Sequence, residues 1–448
     1  MVLQLTFTSS FALRYARLAG RGAYVYKAPR GTTDILPAEQ GYYRHVEATA
    51  ARLCQRYGYE RIDTPVFEDA RLFVRTIGEG TDIVEKETYT FDDRSGQAMT
   101  LRPEGTAPIC RAYVEHGMHN LPQPVRLFYL ASIFRYERPQ KGRYRQHQQF
   151  GAEAIGDGDP ALDAEVIDLA WRFCAAVGLT GIAIQLNSIG CKVCRPAYLA
   201  ELQKHYSAHV DVLCPDCRVR LQKNPLRLLD CKKPSCQDIA ESAPRSSEHL
   251  CPECGGHFDG VREYLRVLGI AFEENHRLVR GLDYYTKTVF EIQPRGREGA
   301  QSAVGGGGRY DDLIQELGGK PTPAVGFAIG IERVVLGVKQ QGMAPLASPG
   351  EKVFVASLGD EAKAEAVRLT AELRRAGVIA IPSLGNRSLK AQLRQANALG
   401  AAHALIMGDD EVRAGRVVLR HMDRGEQESV PVQDVVGMLR SPDVRFEQ

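Results

Sequence analysis

Apolar residues recur at the spacing of a helix in two long segments, residues 38–57 and residues 160–177. Positions three and four apart share one helical face, so each pattern predicts an amphipathic helix that packs against a core. A glycine follows each segment and is suited to end the helix. A strand is predicted after each helix, at residues 60–64, where Pro65 breaks it, and at residues 181–187.

The C-terminal part of the chain has a different pattern, in which short apolar strands alternate with helices. The predicted strands are residues 353–358, 378–382 and 403–407, and the predicted helices are residues 360–375 and 386–399. Such alternation is typical of an α/β domain with a largely parallel sheet. Residues 339–351 precede it and are rich in Gly, Pro, Ala and Ser, which predicts a linker.

A strand, a basic turn and a second strand follow one another in the first half of the chain. The apolar run of residues 127–134 ends in Arg135, and a second predicted strand carries residues 149–153. The turn between them contains Arg138, Lys141, Arg143 and Arg145. This pattern predicts a hairpin with a cationic tip. Arginine is suited to a two-pronged grip on phosphate or carboxylate, and ordinary solvated charge is the alternative explanation.

Two further segments carry polar groups in unusual contexts. Residues 101–106 place the carboxylate of Glu104 and the hydroxyl of Thr106 on a turn that contains proline and glycine. Tyr284 and Tyr285 lead into a predicted strand, where adjacent side chains point to opposite faces, so only one of them need face a pocket. The chain contains neither a Walker sequence nor a dinucleotide fingerprint, so any nucleotide must be bound in another way.

Composition narrows the class of protein. The chain has 448 residues, of which 44% are hydrophobic and 25% are charged, and this is ordinary for two or three folded domains. No apolar stretch approaches the roughly 20 residues that span a bilayer, so we expect a cytoplasmic protein with no membrane segment. The net charge is +2, and any binding of nucleic acid must therefore come from local patches.

Eight of the eleven cysteines crowd into one segment, a pattern that favours a metal site over a secreted disulfide framework. They form the pairs Cys191 and Cys194, Cys214 and Cys217, Cys231 and Cys236, and Cys251 and Cys254. Thiolates at this spacing suit tetrahedral zinc, and eight of them would fill two four-cysteine sites. Reduced structural cysteines, or disulfides formed on isolation, are the alternatives.

The first 26 residues differ from the rest of the chain. They contain Arg14, Arg17 and Arg21, and no acidic residue occurs before Asp34. A transit peptide, a disordered start and an over-long gene model all have this appearance, whereas a secretory signal is disfavoured because arginines interrupt its apolar run. We expect residues 1–26 to be a non-catalytic extension.

Three motifs resemble histidyl-tRNA synthetase, a class II aminoacyl-tRNA synthetase. They are TLRPEGT at residues 100–106, FRYERPQKGRYRQ at residues 134–146 and VRGLDYYTKTVFE at residues 279–291. The likeness extends from about Lys27 to near the C-terminus. It implies an α+β catalytic domain over residues 27–338 built on a class II antiparallel sheet. It also implies a cysteine-rich inserted domain at residues 189–260, the linker at 339–351, and an α/β anticodon-binding domain at 352–448.

The resemblance implies an activity and its partners. The family ligates L-histidine to tRNA(His) in an ATP-dependent reaction through a histidyl-adenylate, and it releases AMP and pyrophosphate. ATP is a substrate, Mg²⁺ accompanies its outer phosphates, and structural Zn²⁺ is not obligatory. Residues 38–65 resemble class II motif 1, which forms the dimer interface in the family, so a homodimer is expected.

The resemblance also assigns roles to the arginines. Arg135 matches the motif 2 arginine, which holds the α-phosphate and the substrate carboxylate. Arg333, in AVGFAIGIER at residues 324–333, matches the motif 3 arginine at the γ-phosphate. Arg280 matches the family's distinctive arginine at the α-phosphate. Together with Arg143, these residues form the implied ATP-binding set.

For histidine, the resemblance places Glu153 and Tyr285 at the imidazole. It places Glu104 and Thr106 at the α-amino group and Gln149 beside the carboxylate. The remaining implied histidine-binding residues are Gly105, Tyr284 and Tyr310. One departure occurs in the segment from Gln146 to Gln149, whose middle residues differ from the common family sequence. This departure weakens any assignment to His147 or Gln148 and leaves Glu153 unaffected.

Two other functions compete with this interpretation. The regulatory subunit of ATP phosphoribosyltransferase shares the catalytic fold without the catalysis, but it lacks the C-terminal α/β domain, and Arg135, Arg280 and Arg333 are all present here. A zinc-dependent nucleic-acid-binding protein centred on the cysteine pairs would leave the ordered motifs unexplained.

Overall fold

The computed structural model describes residues 26–78, 81, 83–140, 142–295, 303–344 and 350–439. The chain divides into two compact units, Met1–Leu346 and Ala347–Gln448. The predicted extension lies outside the described residues except for its last residue, and residues 345–349 of the predicted linker also lie outside them. Among the described helices, none combines the length and apolar character needed to cross a membrane.

The first unit contains a large and a small sheet surrounded by helices. Its strands are β1 (Glu60–Arg61), β2 (Phe67–Asp69), β3 (Tyr89–Asp92), β4 (Ala98–Leu101), β5 (Val125–Phe134), β6 (Gln146–Ile155), β7 (Ile182–Ser188), β8 (Phe272–Glu274), β9 (Thr286–Pro294), β10 (Gly305–Arg309) and β11 (Ala324–Gly330). Its helices are α1 (Gln40–Arg56), α2 (Ala70–Ile77), α3 (Thr106–Glu115), α4 (Pro160–Ala176), α5 (Arg195–Ser207), α6 (Pro215–Lys223), α7 (Pro234–Glu241), α8 (Pro252–Val267), α9 (Leu313–Glu316) and α10 (Ile331–Gln340).

The large sheet has the strand order β1-β5-β6-β11-β10-β9-β7-β8. In this spatial order, every pair of neighbouring strands between β5 and β7 is antiparallel. The two edge strands, β1 and β8, each pair in parallel with their neighbour. Strands β5 and β6 form the predicted hairpin, in register from Val125 opposite Ile155 to Phe134 opposite Gln146. The antiparallel sheet confirms the predicted fold class of the first unit.

Alternate residues of the strands belong to two separate cores, because successive side chains of a strand point to opposite faces. On one face, Phe128, Phe150 and Phe327 pack in a core that includes residues of α1, α4, α8 and α10. On the other face, Leu127 and Tyr129 share a core with residues of the inserted segment. Most of the insertion is therefore packed onto the sheet face opposite to α1, α4 and α10, whereas α8, which begins within it, packs on the same face as these helices.

The second unit contains a mixed sheet with the order β13-β12-β14-β15-β16. Its strands are β12 (Lys352–Leu358), β13 (Ile379–Pro382), β14 (His403–Gly408), β15 (Arg416–His421) and β16 (Gln427–Pro431). Its helices are α11 (Asp360–Arg375), α12 (Leu389–Ala398), α13 (Asp409–Arg413) and α14 (Val432–Leu439). These elements confirm the predicted α/β domain.

Two details of the prediction for this region are wrong. Only β12, β13 and β14 pair in parallel, whereas β15 and β16 form an antiparallel extension. Buried Val417 and Leu419 alternate with more exposed residues along β15, which is the pattern of an edge meander rather than of a crossover unit. In addition, α10 continues to Gln340, so the predicted linker starts inside a helix.

A buried ion pair connects the sheet to two helices. Arg309, at the end of β10, and Asp163, in α4, both have fully buried side chains. Nε of Arg309 donates to Oδ2 of Asp163 at 3.0 Å, and Nε2 of His257 in α8 lies 3.5 Å from the same oxygen. Burial alone would raise the pKa of Asp163, but the Arg309 guanidinium holds that pKa below its usual value.

We predict that Asp163→Asn lowers the free energy of unfolding of the first unit by about 3 kcal/mol, since the buried guanidinium of Arg309 then keeps only Asp311 as a carboxylate partner, at 3.2 Å. Trp171 is the only tryptophan in the chain and lies in α4, so its fluorescence during urea unfolding reports on this unit. Asp259→Asn is the matched control, because Asp259 forms a surface ion pair and its side chain is 65% exposed. Equal shifts in the two variants would contradict the prediction.

Candidate active site

One cavity of about 410 Å³ collects most of the residues singled out from the sequence. The predicted residues that line it are Glu104, Thr106, Arg135, Arg143, Gln149, Arg280, Tyr284, Tyr285 and Arg333. Three others are placed differently: Gly105 lies beside Tyr129, and Glu153 and Tyr310 lie behind the lining and are bonded to each other. The motifs are far apart in sequence, and the sheet brings them to one site.

Glu104 is a buried carboxylate that lines the cavity. Glu104 accepts hydrogen bonds from the backbone N–H groups of Thr106 at 2.7 Å and Ala107 at 2.8 Å, which are among the first of α3. These N–H groups have no partner within the helix, so a carboxylate at this point satisfies them and complements the helix dipole. The hydroxyl of Tyr284 lies 3.4 Å from the same carboxylate.

A second carboxylate, Glu153 on β6, is completely buried behind the first. The hydroxyl of Thr106 donates to it at 2.7 Å, and the hydroxyl of Tyr310 donates to its other oxygen. Gly326 is opposite Glu153 in the pairing of β6 with β11, and a Cβ at this position would overlap the carboxylate. A glycine is therefore required here by the close approach of the glutamate rather than by backbone conformation.

Both carboxylates have raised pKa values because burial disfavours their charged forms. Burial raises the pKa of Glu153 to about 8, although the hydroxyl groups of Tyr310 and Thr106 oppose the shift. The negative charge of ionised Glu104 is one of the causes of this raised pKa of Glu153. A cationic ligand group beside Glu104 and Glu153 would lower the cost of ionising these two carboxylates. This part of the site is therefore suited to an ammonium or another N–H donor.

Several arginines also line the cavity. Arg135 follows β5 directly, and its Nε donates to the carbonyl of Pro103 at 2.7 Å. Arg333, in the first turn of α10, donates through Nε to the carbonyl of Gly142 at 3.1 Å and also bonds the carbonyl of Ala303. These contacts orient the guanidinium groups and leave other N–H groups for a ligand.

Arg280 approaches the cavity from the segment before β9. Its Nη1 lies 2.6 Å from Oε1 of Glu291, on β9. Burial alone would lower the pKa of Arg280, but the carboxylate of Glu291 raises it, so the guanidinium remains charged. A Cβ at Gly306 would lie 2.9 Å from Nη1 of Arg280, so the glycine-rich strand β10 makes room for this side chain.

Several polar atoms at the cavity are buried and have no hydrogen-bond partner within the described part of the chain. These atoms are Nε of Arg143, Nε of Arg280, Oε1 of Gln149 and the hydroxyl of Tyr129. An unsatisfied buried polar group costs free energy, and native structures contain few of them. A polar ligand bound in the cavity would supply partners for these four atoms.

Sequence reasoning missed three residues at the cavity. Tyr129 fits into the space left by Gly105 and Gly151, where side chains would overlap its ring. Glu137 lies 3.1 Å from Arg143, and Glu291 neutralises Arg280. Tyr129 had a usable signal, because it lies an even number of positions before Arg135 and therefore shares its face of the strand. The two acidic partners had none, since their pairing depends on the fold.

The structure places the paired tyrosines and the two residues whose roles were in doubt. Tyr284 and Tyr285 both line the cavity, with ring centroids 4.8 Å apart, because they lie before the start of β9 and not within a regular strand. His147, whose role was in doubt, lines the cavity, and burial together with Arg135 and Arg333 lowers its pKa to about 3. Gln148 instead donates its backbone N–H to Glu332 at 2.9 Å.

The eight clustered cysteines converge into two groups of four. The first quartet consists of Cys191, Cys194, Cys251 and Cys254, and the second quartet consists of Cys214, Cys217, Cys231 and Cys236. Within each quartet all sulfur atoms lie within 4.8 Å of one another. The other three cysteines, Cys54, Cys110 and Cys174, are buried separately. Each quartet thus has the donor set of a four-cysteine metal site.

Comparisons with known proteins agree with this geometry. The family model for histidyl-tRNA synthetase matches residues 31–204 and 257–334, and the one for the anticodon binding domain matches residues 352–441. The unmatched interval contains most of the predicted insertion. A histidine–tRNA ligase of Dehalococcoides mccartyi is 57% identical over 92% of this chain and 98% of its own length. The ligase of Moorella thermoacetica is 51% identical over 92% of this chain and 97% of its own length.

Solved structures show the same likeness. The crystal structure of apo S. aureus histidyl-tRNA synthetase matches with a TM-score of 0.78 and 35% identity, over 93% of this chain and all of that one. A Bacillus halodurans structure described as an ATP phosphoribosyltransferase regulatory subunit/histidyl-tRNA synthetase matches with a TM-score of 0.62 and 22% identity, over 86% of this chain and 99% of that one. The second match shows the shared fold alone. From the family models and the identity to these relatives, this chain belongs to the histidyl-tRNA synthetase family.

Proposed function

We propose that this chain ligates L-histidine to tRNA(His) at the cavity of the first unit. The observation that carries the proposal is that one cavity brings together the buried carboxylate Glu104, with Glu153 behind it, and the guanidinium groups of Arg135, Arg280 and Arg333. A zwitterionic amino acid and a polyphosphate need such a combination of charges. The ligase names of the relatives at 57% and 51% identity support the same substrates.

In the first step, an oxygen of the histidine carboxylate attacks the α-phosphorus of ATP, and pyrophosphate leaves. Two anions must approach each other, so most of the catalysis comes from positioning and from cationic groups fixed in advance. Arg135 holds the substrate carboxylate and the α-phosphate, and Arg280 stabilises charge that develops at the α-phosphate. Arg333 and Arg143 bind the outer phosphates. Glu291 keeps Arg280 oriented, since it is paired with this guanidinium at 2.6 Å.

Histidine is selected by the carboxylates of Glu104 and Glu153 and by the polar groups around them. Glu104 and Thr106 bind the α-ammonium group, and Gln149 lies beside the carboxylate. Glu153 and Tyr285 bind the two imidazole nitrogens, because a neutral imidazole offers one donor and one acceptor. Tyr310 orients Glu153, Tyr284 contacts Glu104, and Gly105 leaves the space that Tyr129 fills. An analogue that lacks these hydrogen-bonding atoms would leave the buried groups without partners.

In the second step, a hydroxyl of the terminal ribose of the tRNA attacks the adenylate carbonyl carbon, and AMP leaves. The inserted segment contributes Arg227 and Asp230 to the cavity. This position supports a role for the insertion near the acceptor end of the tRNA. The second unit, which the anticodon binding domain model matches, binds the anticodon of the same tRNA.

Mg²⁺ and a second copy of the chain complete the proposal. Mg²⁺ usually combines substrate phosphates with one or two carboxylates, and Glu137 and Glu291 at the cavity fit this requirement. When bound, the ion neutralises charge on the outer phosphates. Val66 and Phe67, exposed by 42% and 52%, follow the motif 1 segment and support a homodimer, which a solution mass of twice 49.5 kDa would establish. The location is cytoplasmic, and the cofactors include structural Zn²⁺ at the clustered cysteines.

The first prediction for this function is ATP–pyrophosphate exchange that depends on histidine alone among the amino acids. The exchange reports the first step without tRNA, because formation of the adenylate is reversible. Folded protein with Mg²⁺ is assayed with each amino acid in turn. Absence of exchange would overturn the proposal and favour a regulatory subunit without catalytic activity, the competing function of this fold.

The second prediction concerns Arg280. We expect Arg280→Ala to lower kcat/KM for histidine-dependent exchange by about a thousandfold or more, since it removes a preorganised charge at the reacting phosphate. Arg277→Ala is the matched control, because this neighbour is paired with Glu241 at 3.1 Å outside the cavity. Trp171 fluorescence verifies that both variants are folded. Activity of Arg280→Ala close to that of the wild type would exclude the assigned role.

The third prediction concerns pH. The pKa of Glu153 is raised to about 8 in the free protein, so the carboxylate that accepts from imidazole forms only as the pH rises through this value. We therefore expect kcat/KM for histidine, which reports the free enzyme, to rise over the same range. Thr106→Val removes a hydroxyl that stabilises the carboxylate and should move the midpoint to higher pH. The titration of free histidine is common to both proteins, so identical midpoints would refute this assignment.

A further inference from the structure

The two cysteine quartets have the spacing of metal-bound sulfur. Sγ of Cys191 lies 3.8 Å from Sγ of Cys194 and 4.0 Å from Sγ of Cys251. In the second quartet, the sulfur atoms of Cys214 and Cys231 are 3.8 Å apart. Four thiolates around one zinc at about 2.3 Å are about 3.8 Å from one another, whereas disulfide sulfurs are about 2.05 Å apart. The geometry therefore matches tetrahedral coordination and not disulfide bonding.

Backbone N–H groups point at the sulfur atoms in both quartets. The N–H of Cys191 donates to Sγ of Cys194 at 3.3 Å, and the N–H of Val193 donates to Sγ of Cys191 at 3.4 Å. In the second quartet, the N–H of Cys214 donates to Sγ of Cys236 at 3.4 Å. Such bonds stabilise thiolates and orient metal ligands, so both quartets have an outer shell of support.

The first quartet is attached directly to the segment that carries the cavity tyrosines. The backbone N–H of Ile189 donates to the carbonyl of Lys287 at 2.8 Å, and the N–H of Lys287 donates to the carbonyl of Gly190 at 2.9 Å. Arg195, which follows Cys194, donates through Nη2 to the carbonyl of Tyr285 at 2.6 Å. The loop of the first cysteine pair thus holds the backbone on which Tyr285 enters the cavity.

The second cysteine pair of this quartet contacts the same segment. Glu253, between Cys251 and Cys254, lies 2.9 Å from Nζ of Lys287. The backbone of Lys287 has a φ of 46°, a conformation that non-glycine residues rarely adopt, so neighbouring contacts must maintain it. The quartet therefore joins the beginning and the end of the inserted segment. Both ends contact Lys287, two residues after Tyr285.

The second quartet is built differently. Its four cysteines all belong to the interior of the insertion, between residues 214 and 236. Cys231 and Cys236 flank the start of α7, and Cys214 and Cys217 lie at the start of α6. This quartet closes a smaller loop and provides a comparison site of the same chemistry.

We propose that each quartet binds one zinc ion, and that the zinc in the first quartet positions Tyr285 for histidine binding. The metal content does not depend on the proposed function, whereas the effect on histidine rests on it. Lys287 and Arg195 transmit the effect, so they are positioning residues. Among the described residues, the hydrogen bond to the Tyr285 carbonyl comes from the loop of the first quartet. The second zinc stabilises the insertion, which reaches the cavity through Arg227 and Asp230.

The metal is tested first on the unaltered chain. Elemental analysis of purified protein is expected to give two zinc ions per chain, and Co²⁺ exchanged into the protein should give the visible absorption of tetrahedral thiolate coordination. Cys251→Ser and Cys214→Ser should each retain one zinc, and the buried core variant Cys174→Ala should retain both. Protein that binds neither zinc nor cobalt, contains iron instead, or has disulfides in place of the thiols would overturn the proposal.

The positioning role is tested by histidine-dependent exchange. We expect the KM for histidine to rise about tenfold in Cys251→Ser, the low end of the usual cost of disturbing a metal's support, while the KM for ATP changes little. Cys251→His, which keeps a zinc ligand, should recover both the metal and most of the affinity. Cys214→Ser should raise the KM for histidine much less than Cys251→Ser does, because no hydrogen bond joins its quartet to the Tyr285 carbonyl in the described part of the chain.

A variant that spares the metal ligands separates the two parts of the proposal. Arg195→Lys keeps the charge but loses the paired contacts to Tyr285 and Gly190, so it should raise the KM for histidine while keeping two zinc ions. This variant also decides the matter if Cys251→Ser does not fold. An unchanged KM in Arg195→Lys, or equal effects in Cys251→Ser and Cys214→Ser, would refute the positioning role. Failure of exchange in the wild type would instead refute the proposed function and leave the metal result standing.

Discussion

The register of the antiparallel strands β5, β6 and β11 determines on which face of the sheet Glu153 and Arg135 lie. Glu153 faces Gly326 across β6 and β11, and Arg135 follows the end of β5 and lines the cavity. A slip of one residue would turn these side chains to the opposite face, which is filled by helices. Packing on that face by Phe128 and Phe150 therefore fixes the chemistry of this one.

The cavity stores electrostatic energy of both signs. The carboxylates of Glu153 and Glu104 are buried close together, and burial and the charge of Glu104 both raise the pKa of Glu153. Burial lowers the pKa of Arg333, and the neighbouring charges of Arg143 and Arg135 also lower it. Backbone N–H groups, hydroxyls and Glu291 compensate part of this cost and keep the groups fixed. A ligand that carries a cation at one end and anions at the other completes the network, and little reorganisation remains for the reaction itself.

Sequence reasoning succeeded where local pattern and function coincide. The β5–β6 hairpin, the carboxylate turn at Glu104 and the C-terminal α/β unit were all predictable from periodicity, turn residues and motif resemblance. Long-range partners were not, because no local pattern encodes them: Glu291 beside Arg280 and Tyr129 beneath Gly105 emerge only when strands pair. The cysteine spacing predicted metal ligands, but it did not indicate that the first and last pairs of the insertion share one quartet.

The position of the first quartet has a consequence for the order of folding. Strands β7 and β9 are neighbours in the sheet, yet the whole insertion separates Ser188 from its partner Thr288. Closing a loop of this length in an unfolded chain carries an entropic cost and slows the formation of distant contacts. Cys191 and Cys251, 60 positions apart, meet beside this strand pair, so a closed quartet shortens the effective path between the strands. The insertion thereby makes a long-range sheet contact behave, kinetically, like a more local one.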